Sequence, residues 1–400
     1  MKIFLMTQNF YPEPGAPTNR LLSFARALAA NKHDVTVICE FACYPSGVLE
    51  KRDKYRLYRK EIFENFRIVR TWVIPTRRAN LISRLANYFS YMISAFFVGL
   101  FLKKPNLIIA SSPPLFVGPS AVLLSKIFRL PLIADIRDLW PEDAIVLGHL
   151  KNPVAIWGGR LTANMLYKNA KLLTTISRGF QEYLSRVTKK DNVHILYNGS
   201  SVLDLDIKYE RVISKNNNKF VVCYSGTLGL GQPVEDIVWA AKNTYTDTSL
   251  EYWIIGDGVR RPEIERLVSE NKLDNIRIYG GVSVSDSLAI MIKADAAVVA
   301  LYREEYYKSA IPSKFFDCMA LGLPIILGVD GEAREIMDKG NTGIYYEPGN
   351  IGELTEAIYR LKENPQLAKL LSMNGKRVVG ENYRRITLAN KLNELITYLN

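Results

Sequence analysis

The sequence predicts an α/β protein of two Rossmann-like, doubly wound parallel-sheet domains facing across a cleft. Three observations carry this. Short apolar runs alternate with helical patterns from end to end. The alternation pauses once, over residues 198–219, and then restarts. The 400 residues exceed one ordinary core and suit two.

The elements follow in order. The first half offers strands at Lys2–Thr7, Val35–Cys39, Arg67–Val73, Leu107–Ala110, Pro131–Asp135, Leu172–Ile176 and His194–Tyr197. The second offers Phe220–Ser225, Tyr252–Gly256, Ile276–Tyr279, Ala296–Ala300, Pro324–Leu327 and Gly343–Tyr346. Helical periods lie between them. Over Thr18–Asn31, for example, Leu21, Phe24, Ala25 and Leu28 share one face. The pause ends in Lys215-Asn216-Asn217-Asn218-Lys219, a linker composition. The expected division is therefore 1–205, 206–380, and a C-terminal helix over 381–400 as a candidate to pack back on the first domain. Ligands of such sheets bind beyond the carboxyl ends of the strands.

Composition narrows the chemistry. Four cysteines without a paired spacing and three histidines argue against a structural zinc site or a disulfide framework, and suit a reducing cytosol. The net charge is +12 and is uneven. Residues 1–200 hold 28 Lys/Arg against 13 Asp/Glu, a balance of +15; residues 201–400 hold 24 against 27, a balance of −3. That asymmetry points to an anionic partner. A membrane surface or a phosphorylated acceptor fits better than nucleic acid, for which no recognition signature is present. Residues 81–102 carry a stripe including Leu85, Phe89, Ile93, Phe97 and Phe101, with Arg77, Arg78, Arg84, Lys103 and Lys104 at its flanks. Core helix, interfacial helix and membrane span all remain open for it, the span being marginal in length.

Four motifs carry chemistry. Gly15 and Asn19 lie in the turn from the first strand to the first helix, where open N–H groups favour anions and Thr18 or Asn19 could cap the helix. Asp135–Glu142 packs Asp135, Arg137 and Asp138 just beyond an apolar strand, costly unless paired or used. The turn 225–232 places Gly226, Gly229 and Gly231 with Thr227 and Gln232, letting backbone approach a phosphate; it is not the G-x-G-x-x-G dinucleotide spacing. Pro312–Pro324 starts a helix at Ser313 and puts Lys314 and Asp317 on one side of it.

With Tyr44-Pro45-Ser46-Gly47, Ile255-Gly256-Asp257-Gly258, Ser177-Arg178-Gly179-Phe180, Tyr197-Asn198-Gly199 and Asp330-Gly331-Glu332, these motifs resemble the family-4 retaining glycosyltransferases of the GT-B fold, WbuB-like subgroup. The resemblance runs from Met1 to about Tyr383. It implies a nucleoside-diphosphate sugar as donor, UDP being the common choice, and no metal or cofactor. It also implies retention, with the leaving diphosphate taking the acceptor proton. Carried over residue by residue, Lys314, Arg137 and Asp138 become catalytic; Gly226, Thr227, Gln232, Asp257, Ser313, Lys314 and Asp317 bind donor; Gly15 and Asn19 bind acceptor or phosphate. The implied acceptor is a polyprenyl-diphosphate-linked saccharide of O-antigen or capsule assembly. The expected location is the cytoplasmic face of a bacterial plasma membrane, held peripherally. Two departures stand out. Asp317 replaces the second glutamate of the family's E-x7-E pair and Ser309 the first, and no basic residue follows the glycine turn. A nucleotide-sugar 2-epimerase and a non-catalytic homologue remain as alternatives.

Overall fold

The computed structural model describes residues 1–400 apart from 14, 44, 45, 78–80, 149, 205–214, 217, 398 and 400. The chain divides into two compact units: Met1–Tyr197 with Arg385–Asn400, and Asn198–Arg384. The expected boundary at 205 falls in a segment outside the described residues, as do Tyr44, Pro45 and Arg78.

The first unit holds β1 (Lys2–Met6), β2 (Asp34–Glu40), β3 (Tyr58–Phe63), β4 (Phe66–Thr71), β5 (Leu107–Ser112), β6 (Leu132–Ile136), β7 (Leu172–Thr175) and β8 (Val193–Ile195). They form one sheet in the order β3-β4-β2-β1-β5-β6-β7-β8. The pairings are parallel except β3 with β4. β3 is absent from the sequence expectation, and the reason is physical. As an antiparallel edge strand it alternates exposed and half-buried positions, so Tyr-Arg-Lys-Glu-Ile-Phe never makes an apolar run. The central strands are buried on both faces and do.

The first helix spans Ala16–Ala30, two residues earlier than expected. Gly15 is its N-cap and no side chain caps it, so Thr18 and Asn19 are residues of the first turn rather than caps. Leu21, Phe24, Ala25 and Leu28 are fully buried against the sheet, each large side chain contributing about 1.5–3 kcal/mol. The helix Arg385–Thr397 packs into that cluster with Ala389, Leu392 and Ile396. His33 Nε2 to Asn393 Oδ1, 2.7 Å, fixes its position.

The second unit holds β9 (Phe220–Ser225), β10 (Leu250–Ile255), β11 (Ile276–Tyr279), β12 (Ala296–Ala300), β13 (Ile325–Gly328) and β14 (Gly343–Tyr345), all parallel, in the order β11-β10-β9-β12-β13-β14. In each sheet the winding reverses once, between β1 and β5 and between β9 and β12. Those reversals leave a crevice outside the carboxyl ends of the strands, where such sheets take ligands. Among the described residues no helix is long and apolar enough to cross a membrane.

Candidate functional site

In the second unit the chain leaves β9 and turns at Gly226, at φ +139°. A Cβ there would lie 2.9 Å from Lys314 Nζ, so glycine is what leaves room for the lysine. Gly256, at φ +141° after β10, would put a Cβ 1.9 Å from the Gly226 carbonyl oxygen; the two turns meet backbone to backbone. Gly226 N–H donates to Ile255 O at 2.9 Å, Leu228 N–H to Asp257 O at 2.9 Å, and Arg260 N–H to Leu228 O at 3.0 Å. Beyond β12, Tyr302 N–H donates to Gly231 O at 3.1 Å. Loops from three adjacent strands are thereby fixed as one surface at the reversal point.

Lys314 reaches this surface from the helix Ser313–Leu321, which follows Pro312 with no side-chain cap and no acidic residue in its first turn. The lysine stem is half-buried, but Nζ is buried, 3.8 Å from the Tyr224 ring centroid, and has no hydrogen-bond partner among the described residues. Burial pushes the ammonium down to about 7, with the Cys318 thiolate form a minor opposing influence. A cation and a helix N-terminus converging on a glycine turn, with no protein anion between them, form a site for an anionic ligand.

The other expected donor residues surround it unequally. Thr227 is exposed, and its carbonyl accepts the Tyr224 hydroxyl at 2.7 Å. Gln232 packs against Gly229, and its carbonyl accepts from Arg260 at 3.2 Å. Asp257 is exposed and faces Arg261 at 3.6 Å. Asp317 Oδ1 accepts the Ser200 hydroxyl at 2.6 Å, so one of its oxygens is already engaged within the unit. Ser309 ends the turn Glu305–Ser309, where Glu305 and Lys308 pair at 2.7 Å. Glu332, which the sequence marked only as part of a motif, is buried at the start of the helix Glu332–Gly340.

In the first unit Asp135 is fully buried and fully matched. Arg20 donates to it at 2.8 Å, Ser111 at 2.8 Å and Thr174 at 2.9 Å. Burial opposes its ionisation most strongly, yet Arg20, Arg137 and Ser111 hold the carboxyl below its ordinary value. Arg20 also donates to Tyr197 O at 2.8 Å. Three of these partners, Arg20, Ser111 and Thr174, escaped sequence reasoning; they lie 115, 24 and 39 residues away. Arg137 turns inward, donating to Ser111 Oγ at 2.9 Å and to the Pro113 carbonyl. Asp138 lies beside it, its carboxyl pushed up to about 7 by burial and by Asp143, against the pull of Arg137. Gly15 and the half-exposed Asn19 remain at the uncapped start of the first helix. Glu13, Glu40 and Cys43 bring potential metal-ligand atoms within 4.8 Å of one another. Protein donors already serve both carboxylates: Asn9 at 2.8 Å and Cys43 N–H at 3.0 Å to Glu13, Gln8 at 2.7 Å to Glu40.

Residues 15–199 match the model of the glycosyl transferase 4-like domain, and residues 206–378 that of glycosyl transferases group 1. The chain is a GT-B glycosyltransferase of the family-4 type. This glycosyltransferase is 26% identical over 342 residues to WcaI of Escherichia coli K12, named for a role in colanic acid biosynthesis, covering 80% of this chain and 82% of the relative. It is 26% identical over 264 residues to the alpha-D-kanosaminyltransferase of Streptomyces kanamyceticus, covering 63% and 66%. In fold the glycosyltransferase is similar to HepE of Anabaena in complex with UDP-glucose, at TM-score 0.70 and 16% identity over 100% of both chains. It is similar also to WaaG, a glycosyltransferase involved in lipopolysaccharide biosynthesis, at TM-score 0.67 and 15% identity over 99% of each.

Proposed function

We propose that this glycosyltransferase moves a sugar, with retention, from a UDP-sugar to a polyprenyl-diphosphate-linked saccharide in O-antigen or capsule assembly, as a WbuB-like enzyme working without metal. The observation that carries the reading is Lys314: a buried ammonium without a partner, aimed over Gly226 beside an uncapped helix start. In this reading the diphosphate occupies that position, Thr227, Gln232, Asp257 and Ser313 line the donor, and the Asp317 carboxylate accepts from the ribose. The acceptor hydroxyl attacks the anomeric carbon as the bond to the diphosphate breaks, and its proton passes to the leaving phosphate. Charge grows on that phosphate in the transition state, so Lys314 lowers the barrier more than it aids binding. Arg137 organises the wall on which Asp138 stands. Gly15 and Asn19 take the acceptor's phosphate.

The reading extends to place. The first unit would dock on the inner face of a bacterial plasma membrane through its basic residues. Of the candidate cations, Arg59 is held by Asp53 and Glu61 and Arg52 by Glu50. Lys51, Lys54, Lys60, Lys103 and Lys104 are exposed and carry the attraction in this reading.

The test is incubation with a panel of UDP- and GDP-sugars, with and without a prenyl-diphosphate saccharide, following release of free nucleotide. Acceptor-dependent release of UDP is expected. Release that ignores the acceptor, or none from any donor, would sink the assignment.

A further inference from the structure

The helix Leu81–Phe101 is inverted for a globular domain. Its buried positions among the described residues are Asn87, Ser90, Tyr91, Ala95 and Gly99. Asn87 Oδ1 accepts from Gln8 at 2.7 Å, and the Tyr91 hydroxyl lies 2.7 Å from Thr7 O and 3.0 Å from Ile38 O. Its outward stripe is Ile82, Phe89, Ile93, Phe97 and Phe101, each between 44% and 84% exposed. Large apolar side chains contiguous on a surface mark something that covers them.

The stripe does not lie flat. With Leu57, Trp72 and Ile74 opposite, its residues Phe89, Ile93, Phe97 and Phe101 wall a groove of about 710 Å³, a volume typical of small-ligand sites. From Ala86 to Phe101 the groove follows about 22 Å of helix at the usual rise. A strip of that length, lined almost wholly by hydrocarbon, fits one hydrocarbon chain laid along the helix. The surroundings suit an anionic head. Among the described residues no Asp or Glu lines the groove. Lys60 itself lines the groove, and Lys103 and Lys104 are exposed beyond its far end.

We propose that this groove seats the prenyl chain of the lipid-linked acceptor, with Lys60 at its rim toward the diphosphate. This rests on the lipid-linked acceptor of the preceding reading and adds the site that holds the chain. The concave, acid-free surface selects a single chain bearing a phosphate head over a flat bilayer contact.

The probe is farnesyl diphosphate, titrated into the full chain while the fluorescence of Trp72 in the groove wall is followed, with Trp72→Phe as the blank. Saturable binding is expected, with inorganic diphosphate unable to compete and dodecyl phosphate at least tenfold weaker. Ala86→Trp, which fills the groove while keeping it apolar, should weaken farnesyl diphosphate at least tenfold. Phe97→Asp, at a position 53% exposed, should do the same. UDP affinity, measured separately by calorimetry, should be unchanged in both. Farnesyl diphosphate binding that survives both substitutions would overturn the proposal. So would binding of dodecyl phosphate as tight as the prenyl probe, or sedimentation with anionic vesicles by a protein that binds no farnesyl diphosphate. Loss of UDP binding in the unsubstituted protein would instead strike the donor reading and leave the groove standing.

Discussion

On the proposed donor reading, the buried Lys314 ammonium makes UDP binding a proton-uptake reaction. Burial holds the group at about 7 in the free protein, against about 10.4 for an exposed lysine. A diphosphate placed beside Nζ favours the charged form and returns the value toward the ordinary range. One pH unit above 7, roughly nine-tenths of the free protein is neutral at this position. At pH 8 binding should therefore take up close to one proton. The phosphate of UDP has titrated by then, since a terminal phosphate ionises near ~6. UDP affinity should fall about tenfold per pH unit from 7.5 to 9.5, which is ~1.4 kcal/mol per unit. The assay is calorimetry in two buffers of different ionisation enthalpy, where the difference in apparent heat gives the number of protons. Lys314→Met should abolish the uptake and flatten the pH dependence. Stability carries the same sign in reverse. The folded value is depressed, so the unfolded chain binds more protons between about 7 and 10.4, and ligand-free stability should rise with pH across that window. A buffer-independent binding heat at pH 8 in the unsubstituted protein would refute the reasoning, because it would mean that no group is reprotonated when the anion arrives.

Four further outcomes follow from the structure. Asp138, pushed up to about 7, costs the fold its ionisation above that pH; Asp138→Asn should raise stability by roughly 2–4 kcal/mol at pH 8, a gain that fades toward pH 4, while lowering kcat, as thermal melts and initial rates would read. Arg20→Ala leaves the Asp135 carboxylate buried with a charge partner removed, and urea unfolding should show a loss of about 3–5 kcal/mol. Gly256→Ala forces a Cβ against the Gly226 carbonyl; it should cost about 2–4 kcal/mol and weaken UDP with little effect on farnesyl diphosphate binding. On the proposed metal-free reading, in which Lys314 and the helix start take the place of a cation at the diphosphate, activity should persist in EDTA; complete loss restored by Mg²⁺ or Mn²⁺ would contradict it.

The sequence by itself determined the parallel strands, their order of appearance and the glycine turns. These features are local: a parallel strand buried on both faces reads as a continuous apolar run, as in Leu107–Ala110 and Ala296–Ala300, whatever its neighbours are. The motif Ser313–Asp317 was legible for the same reason, because i, i+3 spacing on a helix needs no tertiary knowledge. Tertiary structure alone decided which groups meet. That Arg20 belongs to Asp135 is set by the sheet, which brings residues 115 apart within 2.8 Å. That Lys314 stands without a partner while Asp317 bonds Ser200, 117 residues away, depends on two segments with no shared local pattern. The helix Leu81–Phe101 makes the difference plainest. Its periodicity revealed an apolar stripe but not which way it points. Buried hydrogen bonds tie Asn87 and Tyr91 to Thr7 and Gln8 after β1 and to Ile38 of β2; they turn the polar face inward and leave the phenylalanines outside. Burial is a property of what lies on the other side of a residue, and a one-dimensional pattern does not contain it.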